Sequence, residues 1–530
     1  MTLHAHAHWL ALALLAPYCL ADTRPNGSYA QSCRAIAVKD DTLSASCQKL
    51  NGSYQNTRLN QLSACLNAIS REGDIGNIDG NLLCLPDLPK PVPGFRFPEA
   101  ERTINQWVYG GQRDAMLAHS WGLWAGLNQW VGEVDGSPVR AFQTWASPSN
   151  MLYRMSRGLQ ASAMPLKRPM LELISPNQFR ASPHLTVLKA DPVAGTAPGP
   201  DTRIFVSTAY NPPAANHAIA NKLFLQSSLD TLLAQGYTEV PNFPVNAITI
   251  KPVYKVISAA YINAQGLYTF PGWPGTPEPA KPFDESSWNA CVYVDVRGRG
   301  TGGNRIDPGC QGPNASNTFY LNNFIHHRIG AEEAASLSRP NRKISAGDYA
   351  ILVGMHVTTR EAKRWTWQTF WWSANADAPY APSSAATASA RPLAYLDPAA
   401  RHYAMALAYQ MVAPAQPIVG GQNVGTSVIA YNPHLEAGFD GDPSSFIPPR
   451  PIKGPQGEVV NRYGVQTNCM TCHGLAAYQP KAQYFDQDGK KINREKPYGT
   501  DFYMSLNDPI FDGKLKLDFA WSILGNMVKE

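Results

Sequence analysis

Near the C-terminus of this 530-residue chain the sequence reads TNCMTCHGL, with Cys469 and Cys472 two residues apart and His473 directly after them. Three chemistries use cysteines at this spacing. Covalent attachment of haem c needs two thiols to add across two vinyl groups and an imidazole one residue later to fall beneath the iron, so that a single helical turn supplies anchor and axial ligand together. A disulfide-exchange dithiol uses the same C-x-x-C, but at the start of a helix that follows a strand in a βαβ setting. The irregular, Pro-rich run before Asn468 provides no such setting. Structural zinc needs a second ligand pair, and the other cysteines are remote and fall into pairs of their own. With nine cysteines and twelve histidines, C-x-x-C-H arises by accident in about a few chains per thousand, so the string carries weight.

The motif resembles the attachment site of the c-type cytochrome family. That resemblance implies Cys469 and Cys472 as thioether anchors of one haem c and His473 as the proximal iron ligand. The second axial ligand decides the chemistry, because a thioether sulfur favours electron transfer whereas an open site admits peroxide or oxygen. Met504, in DFYMSLND, is the leading candidate for the distal position. Met527 is close to the chain end, where fraying is expected, and Met470 lies inside the motif and points away. His119, His326, His327, His356, His402 and His434 are further candidates, each weighed against an ordinary hydrogen-bonded role. The doublet His326–His327 puts one ring on each face of a strand, so at most one could reach the iron.

The elements around the motif depart from a free-standing small cytochrome. Prolines between Gly441 and Gly464 forbid a leading helix, and one closing helix, DFAWSILGNM, is predicted in the tail. The preceding region is therefore expected to form one wall of the haem pocket. That region reads as strands: AITIKPVYKVISA, NACVYVDV, DYAILVGMHVTT and, after the turn REAKR, RWTWQTFWWS. In the last of these, period-two geometry puts Trp365, Trp367 and Trp371 on one face and Phe370 and Trp372 on the other. Both faces are expected to be covered, as a buried sheet core before a cofactor wall or a carbohydrate platform. Helices are predicted at Gln112–Leu127, with Leu117, Trp121 and Trp124 on one stripe, and at Asn221–Ala234. The Ala/Ser/Pro run from Pro379 to Pro392 reads as a surface loop. RGRGTGGNR, Arg297–Arg305, is glycine-rich but falls within a cysteine loop, where a turn explains it.

At the other end, residues 27–84 contain a different pattern. S-Y-x-Q-S-C, then TLSASC, an LN step and a closing N-I-D-G-x-L resemble the cyanovirin-N homology repeat. The resemblance implies a β-rich lectin-like module and a mannose-type glycan as partner. The family fold exchanges a hairpin between two repeats and only one is present here, so no individual sugar-binding residue is carried over. A lone repeat must pair with a second copy, dock on a neighbour or fold alone. Five prolines between Pro86 and Pro98 then read as a stiff linker.

Export frames the whole. The first residues, MTLHAHAHWLALALLAPYCLADTRP, carry an apolar run from Trp9 to Ala16 and suit a secretory signal cut near Ala21, with Cys19 leaving in it. The n-region offers His4, His6 and His8 in place of lysine or arginine, and the run is shorter than the ~20 residues of a membrane span. Proximity pairs the remaining cysteines as disulfides Cys33–Cys47, Cys65–Cys84 and Cys291–Cys310, each worth about 2–4 kcal/mol. Asn26, Asn51 and Asn314 fit N-x-Ser, which carries no weight in a bacterial chain. Composition, 44% apolar and 16% charged with a net charge of +5, is globular, and no basic stripe suggests nucleic acid.

The expected architecture is multidomain, mainly β with some α. A signal peptide at 1–21 precedes a small disulfide-bonded β lectin-like module at 22–86 and a linker at 87–98. A large β-rich domain with flanking helices spans 99–440, and a haem c segment packed on it spans 441–530. The leading expectation is a bacterial periplasmic or secreted mono-haem c-type cytochrome-like protein that exchanges single electrons with a redox partner. A haem oxidase or peroxidase with its substrate cleft in the central domain is the second reading, and a lectin-like recognition protein with structural haem the third.

Overall fold

The structure is a computed structural model that describes residues 24–49, 51–89, 92–134, 137–156, 172–174, 191–192, 197–277, 283–415, 426–438, 452–453, 459–460, 468–480 and 503–529. The expected signal, Cys19 included, lies outside them. Within the proline-broken run 441–464, the described residues are two short strands, Ile452–Lys453 and Val459–Val460, paired with each other. The chain forms several sheets with helices packed on them, tied by three disulfides at Cys33–Cys47, Cys65–Cys84 and Cys291–Cys310. Such bonds persist in oxidising compartments. Among the described residues no helix is long and apolar enough to cross a membrane.

The first module is an antiparallel sheet of β1 (Cys33–Lys39), β2 (Thr42–Gln48) and β3 (Tyr54–Asn60), followed by a hairpin of β4 (Asp74–Ile78) and β5 (Asn81–Leu85). Local chemistry sets both tight turns. Asp40–Asp41 and Asp79–Gly80 have positive φ at both central residues, the two-residue geometry whose twist matches that of paired strands. The module does not stand free. A second hairpin, β6 (Trp130–Val134) and β7 (Ser137–Arg140), contributes Val131 and Val139 to its core. Gly132 permits the approach: a Cβ there would lie 2.4 Å from Leu83 Cδ2. This first module therefore docks on its own chain. The stretch after it is anchored too, since Asp87 is fully buried, Trp145 Nε1 donates to the Pro86 carbonyl, and Val92 joins the central core.

The central body is built on a seven-stranded sheet. Its strands are β8 (Phe205–Val206), β9 (Ala209–Tyr210), β10 (Ile248–Ile257), β15 (His326–Arg328), β16 (Tyr349–Thr359), β17 (Thr366–Trp372) and β18 (Tyr403–Ala408). Between β10 and β15 in sequence, β11 (Leu267–Pro271), β12 (Ala290–Asp295), β13 (Asp307–Pro308) and β14 (Thr318–Tyr320) make a smaller sheet clipped by Cys291–Cys310. The long strands pair antiparallel in the order β10, β16, β17, β18. Alternation sorts their side chains as period two requires. Ile250, Met355, Phe370, Trp372 and Met405 face one core, which the helix Arg113–Leu127 covers with Trp121 and Trp124. Trp124 stacks on Phe370 at 4.4 Å between ring centroids. Trp367, Trp371, Ala404, Ala406 and Ala408 face the other, closed by helices Pro212–Ala220 and Gln226–Ala234 and by the C-terminal segment. The tryptophan strand is thus buried on both faces.

Two expectations shift. The second predicted helix starts only at Gln226, because Asn221 ends an earlier helix, Pro212–Ala220, and Lys222 turns the chain through positive φ. That earlier helix was signposted by its Asn211 cap and the prolines behind it. The Ala/Ser/Pro run also contains a short helix, Ala385–Ser389, capped by Ser384, and Trp121 Nε1 donates to its Thr387 carbonyl.

Beside this core, His402 lies against Trp372 and is pulled down to about 4 by burial and then by Arg391. In the unfolded chain it titrates near 6.5, so between about 6.5 and 4 the unfolded state binds the extra proton and stability falls as pH drops through that window. His402→Gln is expected to flatten this part of the stability-against-pH curve, measured by urea unfolding at several pH values. An unchanged slope would count against the assignment.

Candidate functional site

The C-x-x-C-H string forms a short helix, Cys469–Gly474. Its start is fixed by Asn468, fully buried, whose side-chain oxygen accepts from Thr471 N at 3.0 Å. The Asn468 amide group donates to the carbonyls of Val428 at 2.6 Å and Gln410 at 3.2 Å, so the cap is also a clasp onto the chain after β18. Asn468→Ala removes a cap and two further hydrogen bonds, about 2 kcal/mol of local stability. Faster amide exchange at Thr471 and Cys472 is the expected result, and wild-type protection there would refute the clasp.

Met470 and Thr471 are buried behind the helix, while Cys469, Cys472 and His473 are partly exposed. Both motif thiols are free, and Cys469 Sγ donates to the Ala430 carbonyl at 3.1 Å. Burial and then Glu436 raise both thiols, Cys472 to about 12. Disulfide-exchange cysteines depend on the opposite, a depressed thiol. The six other cysteines among the described residues are consumed in disulfides, so among those residues cysteine offers zinc no second pair. Among the described residues no group of three or more His, Cys, Asp or Glu is arranged to hold a metal ion.

His473 is oriented from behind. Its Nδ1 lies 2.9 Å from the Phe519 carbonyl, which can only accept, so Nδ1 carries the proton and Nε2 keeps its lone pair. Trp367 packs on the ring at 4.3 Å between centroids, tilted 42°. Burial pulls the imidazole down to about 4, so it is neutral at pH 7. A neutral ring with one nitrogen bound to a carbonyl and the other free is how a ligating histidine is held. Free thiols at the right spacing and this restrained ring are what haem c requires of the chain, and the residues fit the group.

Opposite the motif, the sheet face offers Lys251 on β10 beside His356 on β16, which neighbours Thr369 on β17. His356 Nε2 is 3.0 Å from Glu436 Oε1, and Asn432 N donates to the other Glu436 oxygen at 2.6 Å. Burial pulls Lys251 down to about 8 against the opposing pull of Glu436 and Cys472. Burial works against the Glu436 charge, yet His356 and the Asn432 amide hold its carboxyl below the usual range. A group of three ionisable side chains, Lys251, His356 and Glu436, thus stands beside Cys472 and His473.

Among the histidines considered for the iron, His356 is the one that acts electrostatically on His473. His119 is held between Tyr409 and Glu361, His326 binds the Phe324 carbonyl, His327 meets Glu333, His402 lies by Trp372, and His434 binds Glu285. Met504 is buried on the motif helix: a Cβ on Gly474 would lie 2.5 Å from its methyl carbon. Its amide donates to Met411 Sδ at 3.3 Å, and Arg364 binds its carbonyl at 3.0 Å. Met527 is partly buried on the same core.

Several of these residues were outside the sequence expectations. Asn468 had a signal, an Asn directly before a short helix. Lys251 had a weaker one, a polar side chain in an apolar strand on the face shared with Trp367, where it pairs with His356, already weighed for the iron. Phe519, Met411 and Glu436 had none, because a carbonyl or a loop carboxylate is placed only by the tertiary fold. Compared with known proteins, the chain matches no family model, no curated protein and no solved structure.

Proposed function

We propose that the chain is an exported, mono-haem c-type cytochrome-like protein that transfers single electrons at the bacterial surface or periplasm, with its N-terminal module available to a mannose-type glycan. The single observation that carries this is His473, held at Nδ1 by the Phe519 carbonyl with no partner for Nε2 among the described residues, one residue after a free thiol in a capped helix. Cys469 and Cys472 would hold haem c as thioethers and His473 would ligate its iron. When bound, the haem supplies reversible one-electron chemistry. The chain's own residues orient the imidazole, bury the helix behind it and set charges beside it. Met504, buried against Gly474, would supply a thioether sulfur as the distal ligand.

Protein exported from a host able to attach haem c is expected to give a haem-stained band on a denaturing gel. Its ferric spectrum is expected to contain the methionine-to-iron charge-transfer band. Colourless mature protein sinks the proposal, and a spectrum without that band removes Met504. The oxidase or peroxidase reading is supported by one observation, an aromatic cleft of about 290 Å³ in the central body. It predicts a high-spin ferric spectrum that changes on addition of peroxide.

A further inference from the structure

The chain segment that receives the motif helix is pinned to the sheet as well. Ala430 pairs with Asn468 in an isolated bridge and accepts from Cys469 Sγ at 3.1 Å. Two residues on, Asn432 is fully buried and crosses to β17, where its side chain donates to Thr369 Oγ1 and to the Phe370 carbonyl, both at 2.9 Å. Gly354 on β16 makes the room, since a Cβ there would lie 2.7 Å from Asn432 Nδ2. The Asn432 carbonyl then accepts from the amides of Leu435 and Glu436, a tight turn that returns Glu436 to β16. There one carboxylate oxygen meets His356 Nε2 at 3.0 Å and the other accepts the Asn432 amide at 2.6 Å. The Glu436 and His356 side chains are 16% and 18% exposed, so the carboxylate is fixed at both oxygens and largely withdrawn from water.

A negative charge held in this way is poorly screened, and its field reaches its neighbours at low effective dielectric. Cys469, Cys472 and His473 all feel it. Burial dominates the shift of each, and Glu436 adds to it by raising both thiols and favouring the proton on His473. Lys251, the register partner of His356, acts on Cys472 and His473 in the opposite sense. A group held by the two sulfurs and the imidazole would lie in the same field. Haem iron carries one more positive charge oxidised than reduced, so a carboxylate beside it favours the oxidised state.

We propose that Glu436, fixed by His356 and the Asn432 amide, holds down the reduction potential of the attached haem, an inference that rests on the haem reading. The test is spectroelectrochemical titration of the full-length, exported, haem-loaded protein at neutral pH. Glu436→Gln keeps the side chain's shape and an acceptor for the Asn432 amide while removing the charge. It is expected to make the haem about tenfold easier to reduce, a rise of about 59 mV for one electron. Glu436→Asp, which keeps the charge, is expected to show no such rise. Water admitted by loosened packing would favour the more charged, oxidised state and lower the potential, so a rise is not what a purely structural role gives. Because His356 could answer the lost charge by giving up a proton, Glu436→Gln is also compared with Glu436 in a His356→Asn background, and the rise is expected there too. Its absence in that background, or an equal rise in Glu436→Asp, overturns the proposal. Colourless protein would end the haem reading and this inference together, whereas a stained band with an unmoved potential would remove this inference and leave the haem reading standing.

Discussion

Replacing Cys472 by alanine is expected to leave the exported chain without covalent haem, read as loss of the stained band on a denaturing gel. The two free thiols stand in one six-residue helix and would hold haem c as thioethers, and the disulfide-bonded cysteines offer no substitute. The substitution itself is mild for the fold. Cys472 is partly exposed, its carbonyl still accepts from Trp521 Nε1 at 3.0 Å, and its amide still donates to Asn468. Loss of stain with unchanged unfolding would therefore be a chemical effect and not a folding one. A band at wild-type intensity contradicts the assignment.

The largest stability effect is expected at Asp518. It is 1% exposed and accepts from Arg360 Nε at 2.9 and 3.1 Å, from the Phe243 amide at 2.9 Å and from Trp365 Nε1 at 3.3 Å. Four contacts from two separate stretches of chain, the β16–β17 turn and the loop at Phe243, converge on one carboxylate. Asp518→Ala leaves the buried Arg360 guanidinium without its counter-charge, at a cost of about 3–5 kcal/mol. Asp518→Asn keeps the shape and one acceptor oxygen and should lose less. Urea unfolding followed by tryptophan fluorescence reads the difference, and a loss below about 1 kcal/mol for the alanine variant would show the ion pair to be dispensable. The effect extends to the site, since Asp518 and Phe519 both adopt positive φ in the turn that aims the Phe519 carbonyl at His473.

How much of this was legible depended on whether a feature was local. The tryptophan strand, its two faces, the helix Arg113–Leu127 and the cysteine pairs followed from periodicity and proximity, because period two and short loops leave few alternatives. The motif itself was legible for the same reason. What the sequence did not reveal was what converges on it. Glu436, Met411 and Phe519 come from loops far apart in sequence, and no local pattern marks a backbone carbonyl as a histidine's partner. The cleft was hidden in the same way, since its lining residues, from Phe270 to His434, are brought together only by tertiary folding. The docking of the first module on β6 and β7 rests on Gly132, whose missing side chain reads from sequence as an ordinary turn.

The bond from Cys469 to the Ala430 carbonyl has a bearing on biogenesis. A thioether sulfur has no proton to give, so if haem c were attached at Cys469, as proposed, that carbonyl would need another donor. On that reading, attachment would require both sulfurs to be reached before the Asn468 clasp closes. The proposed reading thus implies a chronology, modification first and closure of the tail second, in which a tail that closed too early would shut haem out.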